Sequence, residues 1–153
     1  MIIKEITGDL FKEDYSKDND IYVHCVSSDF VMGKGIAKTF KDKYPELRKR
    51  EILVEKFKSS SRFERLLVIR TEDVNVANLV TKKYFFNKPS YRTLEESLLD
   101  LKYYITNTEK MEVKRLLMPR IGCGLDRLKW DKVKDIITNV FKDTEIEILV
   151  FNI

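Results

Sequence analysis

The chain has 153 residues, 43% hydrophobic and 35% charged, with 29 Lys and Arg against 25 Asp and Glu for a net charge of +4. That length reads as a single domain over 1–153, large enough to bury a core without disulfide or metal staples, and the small positive excess attracts polyanionic partners only weakly. No run approaches the ~20 apolar residues of a membrane span and no amino-terminal stretch reads as a signal peptide, so a monomer in the cytoplasm or nucleus, without membrane partners, is expected.

Residues 2–6 alternate weakly and predict a first strand ending at Thr7-Gly8-Asp9. Residues 21–27 predict a buried strand, and 28–35 a loop. Ile36, Ala37 and Phe40 mark a short helix. Pro45 is placed to open a second helix carrying Leu47, Val54 and Phe57, which Ser59-Ser60-Ser61 ends. The basic run Arg48-Lys49-Arg50 falls in that helix and reads as a solvated face. Residues 66–70 and 75–81 predict two strands joined by a polar turn. After the turn Asn87-Lys88-Pro89-Ser90, Ser90 is placed to cap a helix, with Thr93 where a capping box has its acid. Tyr91, Leu94, Leu98, Leu101 and Ile105 share one face of it. Residues 115–119 predict a further strand, Trp130, Val133, Ile137, Val140 and Phe141 line the last helix, and 146–151 form a closing strand.

Strands interrupted by helices predict an α/β fold, a sheet with helices on both faces. Ligands of such sheets gather beyond the carboxyl ends of the strands. Three junctions rich in Gly or Ser, after residues 6, 27 and 118, fall there.

The most informative stretch is Met118-Pro119-Arg120-Ile121-Gly122-Cys123-Gly124-Leu125-Asp126. Glycines at a strand-to-helix junction let backbone N–H groups hold phosphate. A carboxylate in such a loop is costly unless a cation, a donor or a reaction occupies it, so Asp126 reads as a base, an acid or the partner of a lysine, against a plain helix cap. Met32-Gly33-Lys34-Gly35-Ile36-Ala37 is a second glycine-bearing loop before a helix; it is neither a P-loop nor a dinucleotide fingerprint. Asp9 is placed either to accept from an exocyclic amine or to cap the segment at Leu10. Lys82 stands at a strand end near these loops, as phosphate counter-charge, nucleophile or solvated lysine. Lys83 is its rival, because alternation puts the two on opposite sides of the strand. Cys123 lacks a histidine to activate it, since the only one, His24, falls in an interior strand. Cys25 and Cys123 are expected to be reduced. One histidine and two cysteines supply a zinc site poorly, and no metal is expected.

These segments together resemble the macro domain, the ADP-ribose-binding module, over essentially the whole chain. Thr7-Gly8-Asp9 is similar to the family's adenine-contacting motif, and loops 33–35 and 122–126 to its two phosphate loops. The fold implied is a three-layer α/β/α sandwich with a mixed central sheet. Within the family the chain is most similar to the terminal ADP-ribose protein glycohydrolases. His24-Cys25-Val26-Ser27 with 32–37, Thr81-Lys82-Lys83 with Lys88-Pro89-Ser90-Tyr91, and 118–128 with Trp130 carry that similarity. Bacterial antitoxins that remove ADP-ribose from DNA share the plan, as do domains described as ADP-ribose 1″-phosphate phosphatases.

By position, the resemblance implies Lys82 as nucleophile and Asp126 as catalytic acid. It implies a ligand site of Asp9, Leu10, Ser27, Met32, Gly33, Gly35, Ile36, Pro119, Ile121, Gly122, Cys123, Gly124 and Leu125. Ser27 stands where many macro domains have an asparagine for the distal ribose, which disfavours an asparagine-dependent mechanism. Tyr84-Phe85-Phe86 makes the lysine loop unusually aromatic and bears on the target rather than the chemistry. The activity implied is hydrolysis of ADP-ribose from ester-type linkages to protein, nucleic acid or small acyl groups, with ADP-ribose as ligand or product and no cofactor. The alternatives are a phosphatase on ADP-ribose 1″-phosphate, a non-catalytic ADP-ribose reader, and nucleic-acid binding through the basic surface.

Overall fold

A computed structural model describes residues 1–152 of the chain. Six strands form one sheet: β1 (Ile2–Thr7), β2 (Asp20–Ser27), β3 (Leu66–Arg70), β4 (Asn75–Lys82), β5 (Arg115–Pro119) and β6 (Glu147–Asn152). Their order is β1-β6-β5-β2-β4-β3. Every neighbouring pair is parallel except β3 with β4, so the sheet is mixed. The four helices are α1 (Gly35–Lys43), α2 (Arg50–Ser59), α3 (Tyr91–Asn107) and α4 (Trp130–Phe141).

Alternation along the strands builds the three layers. Ile21 and Val23 of β2 and Ala77 and Leu79 of β4 pack against Leu94, Leu98 and Leu101 of α3 and Val133 and Ile137 of α4. Tyr22 and Val26 of β2 and Val76 and Val80 of β4 pack on the other face against Phe40 of α1 and Leu53 of α2. The central strands β2 and β4 are therefore buried nearly end to end, while β1 at the edge is largely open. Burying a sheet on both faces is what lets β2 and β4 be apolar without strict alternation.

Most sequence-predicted elements stand where expected. Two differ. Pro45 opens only a single 3-10 turn, Pro45–Leu47, and α2 begins afresh at Arg50, so Leu47 is buried from a separate turn. The basic run is correspondingly no helix face. The Arg48 guanidinium donates to the carbonyls of Lys41 and Asp42, closing the end of α1, and Arg50 Nε donates to the Asp29 carbonyl at 2.6 Å. Side-chain donors suit the carbonyls that a helix end leaves free. At α3 the capping box is complete without an acid. Ser90 Oγ accepts from the Thr93 N–H at 3.0 Å, and Thr93 Oγ1 accepts from the Ser90 N–H at 3.0 Å.

Candidate active site

Parallel pairing brings the carboxyl ends of β1, β2, β4, β5 and β6 to one end of the sheet. Asp9, Ser27, Lys82 and the loop after Pro119 leave the sheet there. In the β2–β4 ladder Val26 faces Val80 but Ser27 faces Lys82, so β4 carries one extra residue. Such bulges sit beside active sites because they re-aim a side chain. Lys82 Nζ lies 2.8 Å from Asp126 Oδ1, and the two side chains are only 15% and 17% exposed. Lys83 is exposed, its Nζ 5.3 Å from the centroid of the Tyr84 ring. Asp126 caps no helix; Lys129 stands at the N-terminal cap of α4 and makes no side-chain cap bond. The carboxylate instead meets an amine, one of the occupants that its burial requires.

The two glycine loops supply main-chain donors. Phe30 and Met32 adopt left-handed backbone at φ 51° and 49°, and both side chains are buried. Non-glycine residues in that region are uncommon and concentrate where a loop must hold a particular shape. Beyond them, among the described residues, the N–H groups of Met32, Gly33, Lys34, Gly35, Ile36 and Ala37 donate to no protein acceptor. The same holds for Gly124, Leu125 and Asp126 in the opposite loop. Two sets of unpaired N–H groups, one opening α1, are suited to anionic oxygens. The loops approach closely: a Cβ at Gly35 would lie 3.5 Å from Leu125 Cδ1. Gly122 has φ 72°, and a Cβ there would lie 2.9 Å from Leu128 Cδ1. Only glycine fits that turn without strain.

The remaining sequence-predicted residues lie at the same end of the sheet. Asp9 caps the 3-10 turn Leu10–Lys12 by accepting from the Phe11 N–H at 2.9 Å. Leu10 and Met32 belong to one buried cluster, which ties the end of β1 to the loop before α1. Ser27 is buried and its hydroxyl donates to Asp29 Oδ1, so it is held within the protein. Ile121 is buried, Pro119 ends β5, and Cys123 Sγ points back to the Ile121 carbonyl at 3.3 Å. Burial pushes the Cys25 thiol up to about 12, with Asp126 nearby adding to the effect. Burial raises Cys123 as well. His24 Nε2 is 2.6 Å from Asn78 Oδ1 in the interior. Both cysteines are free thiols.

Two residues, Asp29 and Lys88, hold the loops together through bonds that the sequence pattern did not reveal. Asp29 accepts from Ser27 Oγ and the Val31 N–H through one oxygen and from the Phe85 N–H at 2.9 Å through the other. Burial works to raise its pKa, but these bonds outweigh it and hold the carboxyl below its ordinary value. It thereby pins the loop before α1 to the segment after Lys82. Lys88 Nζ donates to the Leu125 carbonyl at 3.0 Å, joining that segment to the Asp126 loop. An Asp two residues past a strand suggests a local turn; its long-range bond to Phe85 has no local pattern. Among the described residues, no group of three or more His, Cys, Asp or Glu is placed to hold a metal ion, and no helix is long and apolar enough to cross a membrane.

Comparison with known proteins agrees with this geometry. The macro domain family model matches residues 23–137. A bovine (Bos taurus) protein named ADP-ribose glycohydrolase OARD1 is 39% identical over 151 residues, covering 99% of this chain and 91% of that protein. The macrodomain of Thermus aquaticus DarG superposes with a TM-score of 0.79 at 24% identity, covering 99% of each chain. The macrodomain of Mycobacterium tuberculosis DarG gives a TM-score of 0.81 at 23% identity, covering 99% of this chain and 98% of the other. With the family model matching residues 23–137 and a relative 39% identical over nearly the whole chain, the chain belongs to the macro domain family.

Proposed function

We propose that this chain is a hydrolase that removes ADP-ribose from ester-type linkages, with Lys82 as nucleophile and Asp126 as its proton partner. The observation that carries this reading is the 2.8 Å contact between Lys82 Nζ and Asp126 Oδ1 beside two anion-binding loops. The diphosphate lies along the N–H groups of 32–37 and 124–126, with the adenine toward Asp9 and the distal ribose toward Lys82. The relative named ADP-ribose glycohydrolase supports the substrate class.

The chemistry balances without a metal. Asp126 takes a proton from the Lys82 ammonium, leaving an amine with a free electron pair. The amine attacks C1″ of the distal ribose; the N–C1″ bond forms as the C1″–O bond breaks. The leaving carboxylate keeps the electron pair of that bond and takes the proton held by Asp126, which is a carboxylate again. Asp126 then acts as general base, takes a proton from water, the hydroxyl oxygen displaces the amine from C1″, and the freed Lys82 amine takes that proton back from Asp126. The net change is one water consumed, one ADP-ribose and one carboxylic acid released.

A turnover panel tests the reading. It compares glutamyl-linked, thymidine-linked and acetylated ADP-ribose with ADP-ribose 1″-phosphate, for the unmodified chain and Lys82→Ala. The expected result is turnover of at least one ester, lost in Lys82→Ala with ADP-ribose binding retained by calorimetry. Turnover of the phosphate substrate alone, undiminished in Lys82→Ala, identifies a phosphatase. Binding without turnover of any substrate identifies a reader.

A further inference from the structure

Asp126 sits in the loop between β5 and α4. The bonds within that loop close its base. The Leu128 N–H donates to the Gly122 carbonyl at 2.8 Å and the Arg127 N–H to the Gly124 carbonyl at 3.2 Å. Neither bond involves the backbone of Leu125 or Asp126. Two groups from one other segment hold the chain on either side of Asp126. The Lys88 ammonium donates to the Leu125 carbonyl, one residue before it, at 3.0 Å. The Tyr91 hydroxyl accepts from the Lys129 N–H, three residues after it, also at 3.0 Å.

The segment that carries both groups is stiff. Pro89 is buried, and its ring fixes its φ. The capping box of Ser90 and Thr93 sets the first turn of α3, and Tyr91 is the first residue of that turn. The Tyr91 ring packs against the core between the sheet and helices α3 and α4. Lys132 Nζ, in the first turn of α4, lies 5.5 Å from the ring centroid. The start of α3 is therefore a rigid seat for the Asp126 loop.

The two halves of the reaction lean on this seat unequally. Before attack, the 2.8 Å contact with Lys82 itself holds the Asp126 carboxylate. Once the Lys82 nitrogen is bonded to C1″, Asp126 has to face the incoming water instead, and that contact is spent. The backbone on either side must then keep the carboxylate in place. Two hydrogen bonds near solvent add little to the stability of a fold, whereas a misplacement of about 1 Å can cost about 100-fold in rate. We infer that Tyr91 is a positioning residue, acting with Lys88 to hold Asp126 for the release of ADP-ribose from Lys82. The inference rests on the reading of the site as an ADP-ribosyl hydrolase and names the half of the reaction that the start of α3 serves.

The test compares the unmodified chain with Tyr91→Phe, which removes one oxygen and keeps the ring. The substrate is glutamyl-linked or thymidine-linked ADP-ribose, whichever the unmodified chain turns over faster. Rapid quenching with mass spectrometry follows ADP-ribose on the Lys82 peptide, beside steady-state turnover, ADP-ribose calorimetry and urea denaturation. Tyr91→Phe is expected to lower turnover about tenfold to a hundredfold, with a larger share of the Lys82 peptide carrying ADP-ribose than in the unmodified chain. Its urea midpoint is expected to stay close to that of the unmodified chain and ADP-ribose to remain bound, because the N–H groups of 32–37 are untouched. Lys88→Met is expected to behave in the same way, and Lys88→Arg, which keeps a donor, to recover most of the rate. A merely structural role would lower stability and both halves of the reaction together, without accumulation of the adduct. Unchanged turnover in Tyr91→Phe, or turnover lost with no gain in adduct, overturns the inference. An unmodified chain that binds ADP-ribose and turns over neither ester would refute the hydrolase reading, and the inference with it.

Discussion

Single residues carry the chemistry, and their placement explains why several are glycine. Gly122 is the sharpest case. Its left-handed backbone and the 2.9 Å approach of Leu128 Cδ1 to an added Cβ leave no unstrained room for alanine. Gly122→Ala is expected to lower stability by about 1–2 kcal/mol, the cost of left-handed backbone in an L-residue, and to weaken ADP-ribose binding as the loop shifts. Urea denaturation with calorimetry measures both, and a variant unchanged in each would show that the turn is not what shapes the loop. At this scale the sequence was informative where chemistry is local. A carboxylate between glycines and a lysine at a strand end are both visible in one dimension. The choice between Lys82 and Lys83 was not, because it depends on a bulge in the β2–β4 ladder that puts Lys82 opposite Ser27. Asp29 was also hidden, since its bond to Phe85 joins positions 56 apart.

Elements were legible in proportion to how much of their logic lies within the segment. β2 and β4 read correctly because strands buried on both faces are continuous apolar runs. α3 and α4 read correctly from one apolar face each. Pro45 misled because proline suits the first turn of any helix, short or long; here the Lys49 backbone, at φ −91° and ψ 78°, leaves the helical path before α2 starts. The cap of α3 shows the same limit in a milder form. Thr93 fills the role of the capping-box acid through its hydroxyl, which accepts from the Ser90 N–H, a substitution that follows from geometry once the helix start is known.

For the whole molecule, the class of the fold followed from alternating strands and helices, while the strand order did not. Placing β6 between β1 and β5 needs long-range pairing that no local pattern encodes. That order matters, since it sets Asp9 and Lys82 apart across the same end of one sheet, a span fitted to an extended ligand. The interior also sets a pH limit. Asn78 Nδ2 donates to the Leu67 and Val76 carbonyls, so its oxygen must accept from His24 Nε2–H, and His24 Nδ1 has no partner. Burial lowers the His24 pKa from 6.5 to about 4. The unfolded chain therefore binds a proton that the folded chain refuses as pH falls between those values. This contribution is intact above 6.5 and lost progressively toward 4, amounting to about 3 kcal/mol. Urea midpoints across that range should fall in the unmodified chain and fall less steeply in His24→Gln, which keeps a donor for Asn78. Parallel slopes would contradict the assignment.

The central claim is that the Lys82 amine bonds to the distal ribose and that Asp126 manages its proton. The most direct measurement is mass spectrometry of Asp126→Asn after mixing with an ADP-ribosyl ester. Attack is slowed but release, which needs Asp126 to take a proton from water, a far weaker acid than a lysine ammonium, is slowed more; the account predicts ADP-ribose attached to the peptide containing Lys82, with turnover down by about 10²–10⁴-fold. An unmodified Lys82 peptide, together with full turnover by Lys82→Ala, would contradict it.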